Sequence, residues 1–165
     1  MNDCRLASLS NAIESASSIE QLGETLVGFL QTSVQFERLN IGLIDSGAHT
    51  FEDAFVYGQN VRGRQLRNVR TLDGTVVEAA MNAGGTFAFA HHDLKAWLER
   101  FPRFGPVYES GMRKMLAIML MNKTGGTDAA LVVASIHSVP YSNDEIDGLQ
   151  RVAEIVAEKL FKLKR

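Results

Sequence analysis

Residues 130–137 read ALVVASIH and residues 138–160 continue SVPYSNDEIDGLQRVAEIVAEKL, and this stretch decides the fold. The first part is an almost continuous apolar run of strand length, which predicts a strand covered on both faces. In the second part Ser142 is a candidate helix N-cap, and Glu145 has the spacing of a capping box. Acidic residues at the start and lysines at the end suit the helix dipole. We therefore predict a buried strand followed by a long helix over residues 142–164.

A second apolar run, residues 115–121, precedes this stretch. The connection between the two runs contains Gly-Gly-Thr at 125–127, which predicts a hairpin. The branched residues of the earlier run suit packing against helices, and its flexible methionines suit a surface of adaptable shape. Strand parity separates the run into two faces, with Met115, Ala117, Met119 and Met121 on one and Leu116, Ile118 and Leu120 on the other.

The rest of the chain alternates between helical and strand patterns. Helical spacing predicts helices over residues 5–16 and 19–34, and period-two alternation predicts a hairpin of strands over 38–45 and 51–57. We expect a polar loop at 58–70, a short helix at 76–81, a strand at 86–90 and one or two short helices between 94 and 108. This order predicts an α+β fold, in which a central antiparallel sheet has the N- and C-terminal helices on one face and short helices and loops on the other.

Composition limits the possible functions. The chain has 165 residues and a net charge of −2, which suits one domain and argues against non-specific nucleic-acid binding. No apolar run is long enough for a membrane span, and the N-terminus lacks the apolar segment of a signal peptide. Cys4 is the single cysteine, so an internal disulfide and a cysteine-built zinc site are both excluded. We expect a soluble, cytoplasmic protein with neither a membrane nor a nucleic acid as partner.

The order of these segments resembles the GAF domain family of sensory modules. The resemblance rests on the strand and helix quoted above and on DGTVVEAAMNAGGTFAFAHHD at 73–93. In the helix, the residues that follow the family's pattern are Glu145, Leu149, Val152, Ala153 and Val156. The resemblance implies one domain over residues 1–165, with a core over about 19–160. It also implies a bacterial signal-transduction domain that binds a small molecule under its loop-covered face and forms a dimer.

The implied pocket would lie between the sheet and residues 58–108, a segment that we call the cover. Aromatic walls with a few polar groups are typical of small-molecule sites. We expect the methionine face of residues 115–121 to look toward this pocket. The alternative is that the aromatic residues of the cover only pack on the sheet. The candidate ligand contacts are Phe87, Phe89, His91, Asp93, Trp97, Phe104, Tyr108, Met115 and Met119.

Other reactive residues show no catalytic signature. His91 and His92 are adjacent on a predicted strand and would point to opposite faces, so we expect no metal site, with Asp93 as the cap of the next helix. Cys4 has no activating neighbour apart from Arg5. We therefore expect that the chain is not an enzyme. A cluster of arginines could bind a carboxylate, a phosphate or RNA, or could form a solvated loop paired with surface acids: Arg62, Arg64, Arg67 and Arg70.

Activities known in relatives can be compared residue by residue. The relatives that reduce free methionine sulfoxide need cysteines inside the domain, and bilin binders need a cysteine there or an Asp-Ile-Pro tripeptide, which this chain lacks. Cyclic-nucleotide binders carry Asn-Lys, matched here by Asn122 and Lys123, followed by an aromatic residue, for which Tyr141 could stand. In the family pattern three residues separate this aromatic residue from an Asp-Glu pair, whereas here two residues separate Tyr141 from Asp144 and Glu145. Cyclic-nucleotide binding stays an alternative, and the cofactor is unknown, with neither a covalent bilin nor a metal expected.

The long helix has an apolar seam with the steps of three and four that coiled coils use. The seam residues are Ile146, Leu149, Ala153, Val156, Leu160 and Leu163. The first helix has a matching stripe at Leu6, Leu9 and Ile13, so we expect a parallel homodimer, the alternative being that one chain buries both stripes. The leading hypothesis is a sensor of a small molecule. Its ligand would shift strand 115–121 and thereby the long helix, and the helix would act on an output domain or a separate protein. The other two are a dimerisation module without a ligand and an enzyme that uses a cofactor which the sequence does not reveal.

Overall fold

Two apolar strands form the middle of the sheet. In the computed structural model, β5 (Lys114–Met121) and β6 (Thr127–Ser135) pair antiparallel, which confirms the predicted hairpin. The structure describes residues 1–123 and 127–164, so Gly125 and Gly126 of the predicted turn lie outside the described residues. All of β5 except Met121 is buried, because helices cover one face of the sheet and the cover lies on the other.

The remaining strands extend this hairpin on both sides. They are β1 (Arg38–Asp45), β2 (Thr50–Gly58), β3 (Val69–Thr71) and β4 (Thr86–Ala90). The order across the described sheet is β3-β2-β1-β6-β5-β4, and every neighbouring pair is antiparallel. The predicted loop at 58–70 is wrong at its end, where β3 pairs with β2. Three residues are too few to show a period of two, and Val69 is exposed on the sheet edge.

Helices lie on both faces of the sheet, as predicted. One face packs against α1 (Asp3–Glu14), α2 (Ile19–Leu30) and α6 (Asn143–Leu163), and the other against α3 (Val76–Asn82), α4 (Leu94–Arg100) and α5 (Gly105–Glu109). The α+β fold class is thereby confirmed. The second helix ends at Leu30, earlier than predicted, and the chain continues in a turn in which the carbonyl oxygen of Leu30 accepts hydrogen bonds from Ser33 and Val34.

Side-chain alternation along β5 divides the interior into two cores. Leu116, Ile118 and Leu120 belong to the core shared with the terminal helices, whereas Met115, Ala117 and Met119 belong to the core under the cover. Met121 departs from this pattern, because the pairing register shifts after Leu120 and leaves Met121 52% exposed. The methionine face is expected to look toward the pocket: Met115 and Met119 do lie on the cover side of the sheet, whereas the expectation is wrong for Met121.

The seam of α6 is packed inside the chain. Leu149, Ala153, Val156 and Leu160 are buried in the core with α1 and α2, and Ile146 and Leu163 pack partly against it. The stripe of α1 is buried in the same core. This packing matches the alternative in which one chain buries both stripes, since the four buried seam residues present no surface to a second chain. The homodimer itself stays a prediction.

Candidate functional site

A small cavity of about 30 Å³ lies between the sheet and the cover. Its sheet side is formed by residues of β1, β2, β5 and β6, and its other side by α3, α5 and the loop that precedes β3. The volume is about that of one water molecule in the liquid. A larger ligand therefore requires the cover to move away from the sheet.

One side of the cavity is polar, and its centre is Asp53. This carboxylate is fully buried, and its Oδ1 accepts a hydrogen bond from Asn40 Nδ2 at 3.0 Å. Its Oδ2 is paired with the Nη1 of Arg70. Burial raises the pKa of Asp53 above its ordinary value, and the positive charges of Arg70, Arg38 and Arg64 oppose that rise without cancelling it. We call Arg38, Asn40, Asp53, Arg64 and Arg70 the polar wall.

The other two arginines of the polar wall are held by backbone carbonyl groups. Arg38 donates to the carbonyl oxygen of Gln59 at 2.9 Å and to that of Arg64. Arg64 donates to the carbonyl oxygen of Arg103 at 3.2 Å, and its guanidinium lies 4.8 Å from the ring centre of Phe104. Burial lowers the pKa of Arg38, and burial together with the charge of Arg70 lowers the pKa of Arg64 to about 10. Both guanidinium groups are therefore charged at neutral pH, in surroundings that disfavour charge.

A β-bulge separates the directions of Asp53 and Phe55. Ile41 of β1 pairs with Phe55, but the next residue, Gly42, pairs with Asp53, so Ala54 is an extra residue in β2. In a regular strand Asp53 and Phe55 would share a face. The bulge instead places Phe55 in the core with the terminal helices and Asp53 beside the cavity.

The rest of the cavity lining is apolar. It combines two aromatic rings with aliphatic and methionine side chains, and the residues that line it include Phe51, Phe104, Val107, Met112, Met115 and Val132. Gly42 makes room for one of these rings, since a Cβ at that position would lie 1.8 Å from the ring of Phe51. The lining thus combines charged and apolar side chains, and the two kinds touch, since the guanidinium of Arg70 lies 5.3 Å from the ring centre of Phe51. Such a lining suits an amphiphilic small molecule.

Two of the nine candidate ligand contacts line the cavity, Phe104 and Met115. Three others form an aromatic cluster between β4 and α4, in which the rings of Phe89 and Trp97 are 5.0 Å apart and Phe87 contacts Phe101 at 5.9 Å. Met119 is buried in the same core. These four residues pack in the core on the cover side of the sheet and do not line the cavity.

The remaining candidates lie at the edge of the cover. Asp93 caps α4, as predicted, by accepting a hydrogen bond from the backbone of Lys95 at 3.1 Å. The hydroxyl of Tyr108 donates to the carbonyl oxygen of His92 at 2.9 Å. The expectation that His91 and His92 point to opposite faces is wrong, because β4 ends at Ala90 and the two rings stack at 4.9 Å. As ligand contacts, the seven residues away from the cavity stay predictions.

Sequence reasoning singled out the arginine cluster but missed most of the polar wall. Arg64 and Arg70 line the cavity, whereas Arg62 and Arg67 pair with Glu109 and Glu52 at the surface. A signal for Arg38 and Asn40 is present in β1, where polar or small residues alternate with Leu39, Ile41 and Leu43. That alternation is equally typical of a strand with one face in water. Asp53 lies on the same face as Phe51, as a period of two predicts, but the bulge at Ala54 turns Phe55 to the other face, so the alternation does not show which face borders the cavity.

Other reactive groups lie away from the cavity. His49, Asp73 and Glu78 form the one cluster in the described part of the chain with ligand atoms close enough for a metal ion, within 4.8 Å of one another. His49 Nε2 contacts Asp73 at 3.0 Å and Glu78 at 3.2 Å, which an exposed ion-pair cluster explains equally well. Cys4 is exposed on α1, on the opposite side of the sheet from the cavity. Lys123 pairs with Glu158 of α6 at 3.7 Å, so it is also remote from the cavity.

The fold of this chain is similar to that of several solved structures. The GAF domain of a two-component sensor histidine kinase from Bacillus halodurans matches with a TM-score of 0.73 at 14% identity, over 90% of this chain and 97% of that one. The GAF domain of an Acinetobacter phosphoenolpyruvate-protein phosphotransferase matches at 0.75 and 14%, over 98% and 96%. Free methionine-R-sulfoxide reductase from Neisseria meningitidis, in complex with its substrate, matches at 0.75 and 14%, over 99% and 94%.

The chain therefore has the GAF domain fold. At 14% identity these matches establish the fold, and function has to be argued from the residues of this chain. No family model matches the sequence, and no curated protein matches it either. In the part of the chain that the structure describes, none of the helices has the length and apolarity that crossing a membrane requires.

Proposed function

We propose that residues 1–165 form a sensory or regulatory domain that binds a small molecule in the cavity between the sheet and the cover. The observation behind this proposal is the polar wall, in which a fully buried Asp53 and three arginines line a space between two layers together with apolar side chains. Burying charges generally costs a fold stability, so their presence suggests a purpose other than stability. Ligand binding is such a purpose, and Phe104 and Met115 are the predicted contacts that lie on the cavity.

Strand β5 offers a route from the ligand to the terminal helices. Met115 lines the cavity, and the adjacent Leu116 points into the core that contains α6. A movement of β5 that accommodates a ligand would therefore change the packing of α6. For such a signal, the ligand must have different affinities for the two packings. The helix would then act on an output domain or on a separate protein.

A regulatory role also agrees with the position of Cys4. The matched Neisseria structure is a reductase, so the fold itself is compatible with catalysis. The single cysteine of this chain lies on the far side of the sheet from the cavity, which disfavours thiol chemistry at that site. We therefore propose a binding function in place of a catalytic one.

Thermal-shift screening of metabolites tests this function. A ligand at about one hundred times its Kd stabilises a protein by about 2.7 kcal/mol, which corresponds to a rise in Tm of roughly 5–10 °C for a chain of this size. Val107 lies on the cavity and is buried, so Val107→Phe should fill the space and abolish the shift. Val139 is 72% exposed, and the matched variant Val139→Phe should respond as the wild type does. A shift that survives in Val107→Phe would contradict the proposed site.

The alternative is a dimerisation module without a ligand. The cavity volume of about 30 Å³ favours it, because ligand sites commonly enclose roughly 300–1,000 Å³. This alternative predicts that a broad metabolite screen produces no shift in Tm. The same preparations, examined by light scattering, should then contain a dimer.

A further inference from the structure

The polar wall has more positive than negative charge. Arg38, Arg64 and Arg70 line the cavity, and Asp53 is the only carboxylate among the residues that do so in the described chain. Acids of three adjoining segments are engaged elsewhere, because Glu52 pairs with Arg67, Glu109 with Arg62, and Glu78 with His49. Two positive charges of the wall are thus without a counter-charge beside the cavity.

One donor of this wall has no acceptor. Arg70 uses Nη1 to pair with Asp53, but its Nε is buried and has no hydrogen-bond partner among the residues that the structure describes. A buried charged donor without an acceptor is costly, so such groups usually have a function. A planar oxyanion that contacts a guanidinium edge would supply the missing acceptor.

Burial adds to the effect of the excess charge. The lowered pKa values of Arg38 and Arg64 mean that their charged forms are disfavoured by their surroundings. An anion brought next to them would offset part of that cost. The apolar side of the cavity, with Phe104 and Met115, would accept no second charge but would accept a hydrocarbon group.

We propose that the ligand is a small amphiphilic anion, with a carboxylate or phosphate group bound by Arg64 and Arg70 and an apolar body against Phe104 and Met115. Asp53 competes with this anion for Arg70, since it already occupies one edge of that guanidinium. The inference rests on the proposed function and specifies the chemistry of its ligand.

Matched probes test the charge of the ligand. Benzoate and acetate are titrated into the full chain at pH 7, and their neutral isosteres benzamide and acetamide are titrated in parallel. Inorganic phosphate is titrated separately to distinguish a carboxylate site from a phosphate site. The readout is the NMR shift of methionine methyl groups. Met112 and Met115 line the cavity, and the exposed Met121 is an internal control. We expect benzoate or phosphate to move the first two signals and both amides to leave them unchanged.

Three variants test the assignment to the polar wall. Asp53→Asn removes the competing charge and should tighten benzoate binding about fivefold. The double variant Asp53→Asn, Arg70→Met removes the guanidinium without leaving an unpaired buried carboxylate. It should weaken benzoate binding about tenfold or more relative to Asp53→Asn, which is the loss expected for one charge-assisted hydrogen bond. Arg62 pairs with Glu109 at the surface, so Arg62→Met should bind as the wild type does.

Each outcome supports or overturns the inference. Binding of benzamide as tightly as benzoate, or binding that all three variants leave unchanged, would overturn it. A neutral metabolite that raises Tm and moves the Met115 signal would overturn the anion while leaving the proposed sensory function intact. If no probe binds and the metabolite screen is also silent, both the inference and the proposed function fail.

Discussion

Asp53 is a carboxylate with no exposure to solvent, held by two polar neighbours. Asn40 donates to one of its oxygens at 3.0 Å and Arg70 pairs with the other. Removing one partner of such a pair generally costs more than the pair contributes, because a buried charge is then left alone. The residue therefore couples the stability of the domain to the electrostatics of the cavity.

The raised pKa of Asp53 leads to a prediction about pH. The folded state holds this proton more tightly than the unfolded state, whose pKa is near 3.8. The contribution of Asp53 to stability is thus fully present below pH 3.8 and is lost as the pH rises through the folded pKa. Urea unfolding at pH 4 and pH 7 measures the free energy of unfolding of the wild type minus that of Asp53→Asn. This difference should be larger at pH 4 than at pH 7. A relative stability that falls on acidification would show that pairing with the arginines outweighs burial.

The polar wall shows how far single residues could be interpreted from sequence. Four closely spaced arginines are visible in the chain, but only Arg64 and Arg70 reach the cavity. Which two do so depends on how the loop passes over the sheet. The bulge at Ala54 changes the face of every residue beyond it, so the alternation in β2 does not show that Asp53 borders the cavity. Neither property is encoded in local spacing.

Among the elements, α6 begins with a complete capping box. Ser142 accepts a hydrogen bond from the backbone of Glu145 at 3.1 Å, and the Glu145 side chain accepts one from the backbone of Ser142 at 2.9 Å. Both donors would otherwise be unsatisfied at the end of the helix. The element was predictable because its start, its end and its apolar spacing are all local properties.

Loss of this cap should have a measurable cost. Ser142→Ala is expected to lower the free energy of unfolding by about 1 kcal/mol, because one backbone donor loses its acceptor. Ser138 is an exposed residue of the preceding loop, so Ser138→Ala should change the same quantity by less than about 0.5 kcal/mol. Urea denaturation measures both values. Equal effects of the two substitutions would argue against the capping box.

At the scale of the whole molecule, the terminal helices and the sheet form one core. The coiled-coil spacing of α6 is genuine, yet four of its six seam residues are buried against α1, α2 and the sheet. Spacing alone does not distinguish a seam for a second chain from a stripe that faces the same chain. A homodimer, if it forms, would require other surfaces of the helices than these four residues.

Leu160→Ala separates the two roles of the seam. Leu160 is fully buried, so this substitution should lower the free energy of unfolding by about 2–5 kcal/mol. The mass of the folded fraction, measured by light scattering, should equal that of the wild type. If the substitution instead converted a wild-type dimer into a monomer of equal stability, Leu160 would have to lie in an interface between chains.

The sequence by itself determined the two-sided sheet and every element except β3, because capping, turns and apolar spacing act over a few residues. It also determined that Met115 and Leu116 point in opposite directions. Only the tertiary structure decided which side chains meet at the cavity, since Arg38, Asp53, Arg64 and Arg70 come from two strands, a loop and the start of a third strand. Their charges interact because folding brings distant segments together in surroundings of low polarity, and that proximity depends on a bulge and a loop path that no local pattern reports.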